Sequence, residues 1–209
     1  MRVSADGLSR EVIAVTGGIG SGKSRVARWL AAECAFALYD ADAEVRSLLV
    51  PGAAGWQRLR TWLHPDFFAA DGGLLKRRLR QAIFNDAALR QGMEHDLHPL
   101  VLANLQAKLA GREGPCLVEV PLLYEVGWQG HFDGVLVVYA PDTLCGERVT
   151  LRDQVPAAEA QAALRVQMPI QEKVARADYT VDNSGNWTDT LRQLAGIKQA
   201  WCPQSGKKA

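Results

Sequence analysis

Short apolar runs alternate along the chain with longer stretches in which apolar residues recur every three or four positions. Glu11 to Val15, Ala35 to Tyr39, Cys116 to Val120, Val135 to Tyr139 and Tyr179 to Val181 read as strands buried in a sheet. The amphipathic stretches between them predict helices, so the pattern as a whole predicts an α/β fold with a mainly parallel sheet. Right-handed crossovers are expected between parallel neighbours, while the strand order is left open.

Between about Pro51 and Gly114 the alternation stops, and only helical patterns are found. Gly55 to Leu63, Leu74 to Phe84, Ala87 to Asp96 and Pro99 to Leu109 predict helices. The breakers between them are Pro65, Asp71-Gly72-Gly73 and His98-Pro99. Residues 52–113 therefore read as a helical insertion in a core made of residues 10–51 and 114–200, and such insertions serve a second substrate. Arg148 to Asp178 is helical and charge-rich, is interrupted by Pro156 and Pro169, and reads as a lid. A last helix is predicted from Trp187 to Gln199. Residues 201–209 have the composition of a tail and are expected to be disordered.

Composition narrows the function classes. The chain has 209 residues, 48% of them hydrophobic and 22% charged, which suits a soluble protein able to bury a full core. A formal net charge of +1 supplies no global basic field, so a nucleic-acid or membrane-surface partner is not expected and an anion must be held by local design. Cys34, Cys116, Cys145 and Cys202 are scattered, with no CxxC pair, so neither a zinc site nor a disulfide framework is expected. A reducing cytoplasm fits that usage. Met1 to Arg10 lacks the apolar core of a signal peptide, and no stretch has the ~20 apolar residues of a membrane span.

Gly17-Gly-Ile-Gly-Ser-Gly-Lys-Ser24 matches GxxxxGK[ST] and stands between a strand ending at Val15 and a helix starting near Lys23. Glycines at 17, 18, 20 and 22 let the backbone of Gly18, Ile19, Gly20, Ser21 and Gly22 turn its N–H groups inward, and the helix N-terminus adds positive character. A nucleoside triphosphate fits there. Lys23 would neutralise the β- and γ-phosphates, and the Ser24 hydroxyl would ligate Mg²⁺. The motif names nucleotide binding, not a reaction.

Asp40-Ala-Asp42 follows the second strand. In extended backbone, residues two apart share a side, so both carboxylates are expected to face a cleft at the strand's carboxyl end. One could accept the proton of an attacking hydroxyl while the other supports Mg²⁺ through water. Alternatively Asp42 caps a helix starting at Ala43.

The order and spacing of Thr16 to Ser24, Asp40-Ala-Asp42, His98-Pro99, Pro121-Leu-Leu-Tyr-Glu125, Arg148 through Asp153, and Ala177-Asp-Tyr-Thr-Val-Asp-Asn-Ser-Gly185 resemble the dephospho-CoA kinase family. The resemblance covers about Val12 to Leu194. It implies a P-loop three-layer sandwich with a helical substrate-binding insertion and a helical lid, with ATP and dephospho-CoA as small-molecule substrates and Mg²⁺ as cofactor. It places the catalytic aspartate on Asp42, a lid arginine reaching the phosphates on Arg148, and Asn183 to Gly185 beside the adenine. Substrate contacts are implied at Asp40, Asp42, Lys76, Arg77, His98 and Leu122, although His98-Pro99 also reads as a helix-start feature. The chain departs from the family in having Arg25 where Thr is usual, and Lys76, followed by Arg77 and Arg78, where an arginine is usual. A lysine there offers a point charge instead of a fork. A monomer is expected.

Overall fold

A computed structural model describes residues 8 and 10–202, in two compact units that part between Tyr39 and Asp40 and between Arg112 and Glu113. Its strands are β1 (Val12–Thr16), β2 (Ala37–Asp40), β3 (Cys116–Glu119), β4 (Gly134–Tyr139) and β5 (Tyr179–Asp182). Helix α1 (Lys23–Cys34) follows β1. The smaller unit holds α2 (Ala41–Leu48), α3 (Ala54–Arg60), α4 (Lys76–Asn85) and α5 (Ala87–Ala110). The larger unit continues with α6 (Asp142–Asp153), α7 (Ala157–Arg165), α8 (Ile170–Ala175) and α9 (Trp187–Trp201).

The sheet runs β2-β3-β1-β4-β5. β1 pairs in parallel with β3, Ile13 opposite Leu117, and with β4, Ile13 opposite Gly134; β4 pairs in parallel with β5. The central strands are buried almost throughout, which is why they appear in the sequence as unbroken apolar runs. Helix α1 ends in an αL residue, Ala35, with Phe36 N–H donating to Ala31 O at 2.9 Å. This is a Schellman stop. It delays β2 to Ala37, two residues beyond the expected start.

Ile13, Val15, Leu30, Leu117, Leu136, Val138, Val181, Leu194 and Trp201 form the main core. Burying each large side chain contributes roughly 1.5–3 kcal/mol. Trp201 corrects the expectation of a tail from residue 201: it is buried in the last turn of α9, edge-on to Tyr179 at 5.1 Å between centroids. The rest of the expected tail, from residue 203, lies outside the described residues, as do residues 1–7 and 9.

The absence of a disulfide is likewise corrected, because Cys34 and Cys202 are bonded, with Cα atoms 5.6 Å apart. The pair joins the ends of α1 and α9, and Lys198 Nζ sits 2.5 Å from Glu33 Oε2 across the same two helices. Sequence spacing carries no sign of it, since the partners are 168 residues apart and meet only through the packing of two helices. Cys116 and Cys145 are buried thiols outside this disulfide. No helix among the described residues is long and apolar enough to cross a membrane.

The smaller unit packs Leu59, Leu63, Leu79, Met93 and Leu97 into its own core. Here two expected helices are one, because α5 runs unbroken through His98-Pro99. An interior proline costs about 3 kcal/mol. The buried stripe Met93, Leu97, Val101 and Leu105, at intervals of four, continues across it and offsets that cost, while Pro99 itself is exposed. Buried Glu44 of α2 is paired with Lys108 of α5 at 2.5 Å. The unit begins at Asp40, so it takes in α2 as well as the expected insertion.

Candidate active site

The glycine-rich loop leaves β1 and enters α1 as its pattern demands. Gly22 is the N-cap of α1, in the αL region at φ 89°, and has no side chain with which to close the first turn; that turn also holds no acidic residue. A helix start so left open takes an external anion. At Gly20, φ is +78° and a Cβ would lie 2.4 Å from the Cys145 carbonyl oxygen, so only glycine fits.

The loop's outward groups are tied down one by one. Asn183 Nδ2 donates to Ser21 O at 2.7 Å, and Asn183 Oδ1 accepts from Thr190 Oγ1 at 2.9 Å. Arg148 of α6 donates to Gly20 O at 3.4 Å and to Asn183 O at 2.9 Å. Thr16 Oγ1 donates to Pro121 O at 3.2 Å. With the Gly20 and Ser21 carbonyls held outward, the loop is set in a shape whose amides suit an anion, although Ser21 N–H is already donated to Gly18 O at 3.1 Å and Ile19 N–H to a side chain, Gln167 Oε1, at 2.8 Å. Two expected roles are thereby refined. Arg148 braces the loop through carbonyls, and the side chain of Asn183 is committed to the loop. Beside it, Ser184 N–H donates to Asp182 Oδ1 at 2.8 Å, closing the turn that carries exposed Gly185. Burial raises the pKa of the Cys145 thiol, on the buried face of α6, with Arg148 opposing.

Ser24 Oγ donates to Glu119 Oε1 at 2.5 Å. Glu119 closes β3 opposite Val15 of β1, at the carboxyl end of the sheet where ligands of such folds bind. Sequence reasoning missed it, although a carboxylate inside the apolar run Cys116 to Val120 was the available signal. A hydroxyl and a carboxylate oxygen at this spot are hard donors that suit Mg²⁺. Among the described residues no cluster of three or more His, Cys, Asp or Glu could hold a metal unaided. The donor set therefore fits an ion that arrives with phosphates.

In the smaller unit, the Asp-Ala-Asp geometry differs from the expected extended one. Asp40 is the N-cap of α2, its Oδ1 accepting from Asp42 N at 2.9 Å and its Oδ2 paired with Arg46 at 3.0 Å. Asp42 is already helical and exposed in the first turn, where its charge suits the helix dipole. Capping thus belongs to Asp40, not Asp42, and the two carboxylates do not share a strand face. The helix starts two residues earlier than expected because Asp40 is the better-placed cap.

Lys76 and Arg77 open α4 and are exposed, whereas Arg78 is paired with Asp66 at 2.9 Å. His98 lies in mid-helix on α5, and its pKa is lowered by burial, with Glu94 opposing; neutral at pH 7, it carries no charge for a phosphate. Leu122 is 40% exposed in the turn after β3.

A parallel five-stranded sheet with a braced phosphate loop between β1 and α1 defines a kinase of the P-loop class. The dephospho-CoA kinase family model matches residues 11–189. The chain belongs to that family. It is 38% identical over 178 residues to the dephospho-CoA kinase of Anaeromyxobacter dehalogenans, covering 83% of this chain and 84% of that one. It is 36% identical to the dephospho-CoA kinase of Desulfotalea psychrophila, covering 87% and 93%. Among solved structures, a Thermus thermophilus protein superposes with a TM-score of 0.76 at 32% identity, covering 90% of this chain and 96% of that one. A Campylobacter jejuni dephospho-CoA kinase, at 22% identity and a TM-score of 0.63 over 91% and 96%, shares the fold.

Proposed function

We propose that this chain transfers the γ-phosphoryl group of ATP to the ribose 3′-hydroxyl of 3′-dephospho-CoA, giving coenzyme A and ADP in the cytoplasm. Membership of the family over residues 11–189 carries the reading, and the braced loop supplies the chemistry it requires. The acceptor oxygen forms a bond to the γ-phosphorus as the bond to the β–γ bridging oxygen breaks, and ADP leaves. The hydroxyl proton passes to the Asp42 carboxylate. Lys23 offsets the charge on the β- and γ-phosphates, and the loop amides cradle them. Lys76 and Arg77, exposed cations in a first turn of α4 that contains no acidic residue, are assigned to the acceptor's phosphate. His98 and Leu122 are assigned to the rest of the acceptor by apolar and neutral contact.

Ser24 and Glu119 would hold Mg²⁺, which when bound would neutralise charge on the phosphate oxygens. Glu119→Gln keeps a hydrogen-bond partner for Ser24 but removes a charge. It should raise the Mg²⁺ concentration for half-maximal rate by about tenfold, the scale of a charged interaction of 1–2 kcal/mol, with rate restored by excess metal. An unchanged Mg²⁺ requirement would remove Glu119 from the site.

The substrate is tested by coupled ADP release across acceptors with MgATP. Dephospho-CoA should react far faster than AMP, CMP, shikimate or pantothenate. Equal turnover of any of these overturns the assignment.

A further inference from the structure

We propose that Gln167, in the turn between α7 and α8, is a nucleotide-phosphate ligand of the loop. Its Oε1 accepts the Ile19 N–H at 2.8 Å across 148 residues of sequence. Ile19 lies within the glycine-rich loop, so a side chain from a distant segment enters the anion nest itself. The contact also fixes the orientation of the amide. With the oxygen on the Ile19 N–H, the NH₂ is the other end of the same planar group, half-buried beside the loop. That NH₂ meets no acceptor among the described residues. An unused donor beside amides arranged for an anion is matched by a phosphate oxygen, which accepts from both.

The turn is held from behind, so Gln167 is placed before any ligand arrives. Met168 N–H donates to Glu125 Oε1 at 2.9 Å. The same oxygen is 2.7 Å from Nζ of Lys173 on α8, a lysine with no exposed surface, and Nζ also donates to Pro121 O at 3.2 Å. Removing either partner of such a buried pair strands a charge, so the geometry is strongly enforced. Pro121 O is in turn the acceptor of Thr16 Oγ1, at the end of β1 where the loop begins. Pro121 and Glu125 therefore link the start of the loop to the Gln167 turn, which gives the Pro-Leu-Leu-x-Glu run a positioning role. Ordering entropy that a mobile lid would lose on binding is already lost here.

This inference rests on the nucleotide-kinase reading above, and its test needs no acceptor. MgADP binding is measured by calorimetry for the wild type, Gln167→Met, Gln167→Glu and Val166→Glu. Gln167→Met keeps length and loses the donor; the Kd should rise about tenfold, the scale of a lost hydrogen bond to a charged group. Gln167→Glu keeps an acceptor for Ile19 N–H but turns an anion toward the phosphates, and the Kd should rise further. Val166→Glu places the same charge one residue away on an exposed position, and the Kd should stay within about twofold. Melting curves of all four chains separate lost folding from lost binding. If Gln167→Met binds MgADP as the wild type does, or more tightly, Gln167 is only a cap that phosphate displaces, and the proposal fails. If the wild type itself binds no MgADP, the nucleotide reading fails instead.

Discussion

Lys23→Ala is expected to lower kcat by about 10³-fold with dephospho-CoA as acceptor, and comparably with any poorer acceptor. The scale follows from removing one preorganised group that meets developing charge, worth about 10²–10³-fold, with a full positive charge at the upper end. The effect should be electrostatic and not structural. The loop is held by Asn183 on Ser21 O, by Arg148 on Gly20 O and by Gln167 on Ile19 N–H, none of which involves the Lys23 side chain. Helix α1 keeps its Gly22 start and its buried Val26, Ala27 and Leu30. The melting midpoint should accordingly stay within a few degrees, since a change of 1 kcal/mol moves a chain of this size by roughly 2–4 °C. Steady-state rates and a melting curve on the same preparation check both halves. A variant with near-normal kcat would show that this loop is not where ATP is held.

What could be read from the sequence follows the range over which each signal acts. The loop from Gly17 to Ser24 is local: its glycines, lysine and serine are contiguous, and the strand and helix around it are set by neighbouring residues. Buried parallel strands are legible for a similar reason, because burial on both faces leaves an unbroken apolar run such as Val135 to Tyr139. Long-range partners leave no such trace. Glu119 is 95 residues from Ser24, Gln167 is 148 from Ile19, and Cys34 is 168 from Cys202. Each pair is made by sheet order or helix packing, which the sequence pattern left open. Helix boundaries fail differently. Pro99 reads as a stop by local rules, and only the buried stripe from Met93 to Leu105 shows that tertiary packing wins. At Asp40-Ala-Asp42 two local rules competed, strand continuation and helix capping, and the cap fell one carboxylate earlier than expected.

That shift sharpens the test of Asp42. Because Asp40 already caps α2 through Asp42 N–H, the Asp42 side chain is not needed for the cap. Asp42→Asn keeps the shape, leaves the cap intact and removes only the charge and basicity. Loss of a first-turn charge on the helix dipole costs about 0.3–1 kcal/mol, or a few degrees in melting midpoint. If Asp42 takes or orients the acceptor proton, kcat should fall by about 10²-fold or more, the range of lost general-base catalysis. MgADP affinity should hardly change, because the contacts of Asn183, Arg148 and Gln167 that hold the phosphate loop do not involve this residue. Asp40→Ala is the contrasting case. It removes the cap and the Arg46 partner, and should cost roughly 1 kcal/mol of stability. Rate and stability should therefore separate between two carboxylates two residues apart, Asp42 acting on kcat and Asp40 on melting. Measuring both quantities for both variants decides the assignment: an Asp42→Asn enzyme that turns over dephospho-CoA at the wild-type rate leaves Asp42 with no part in the proton transfer.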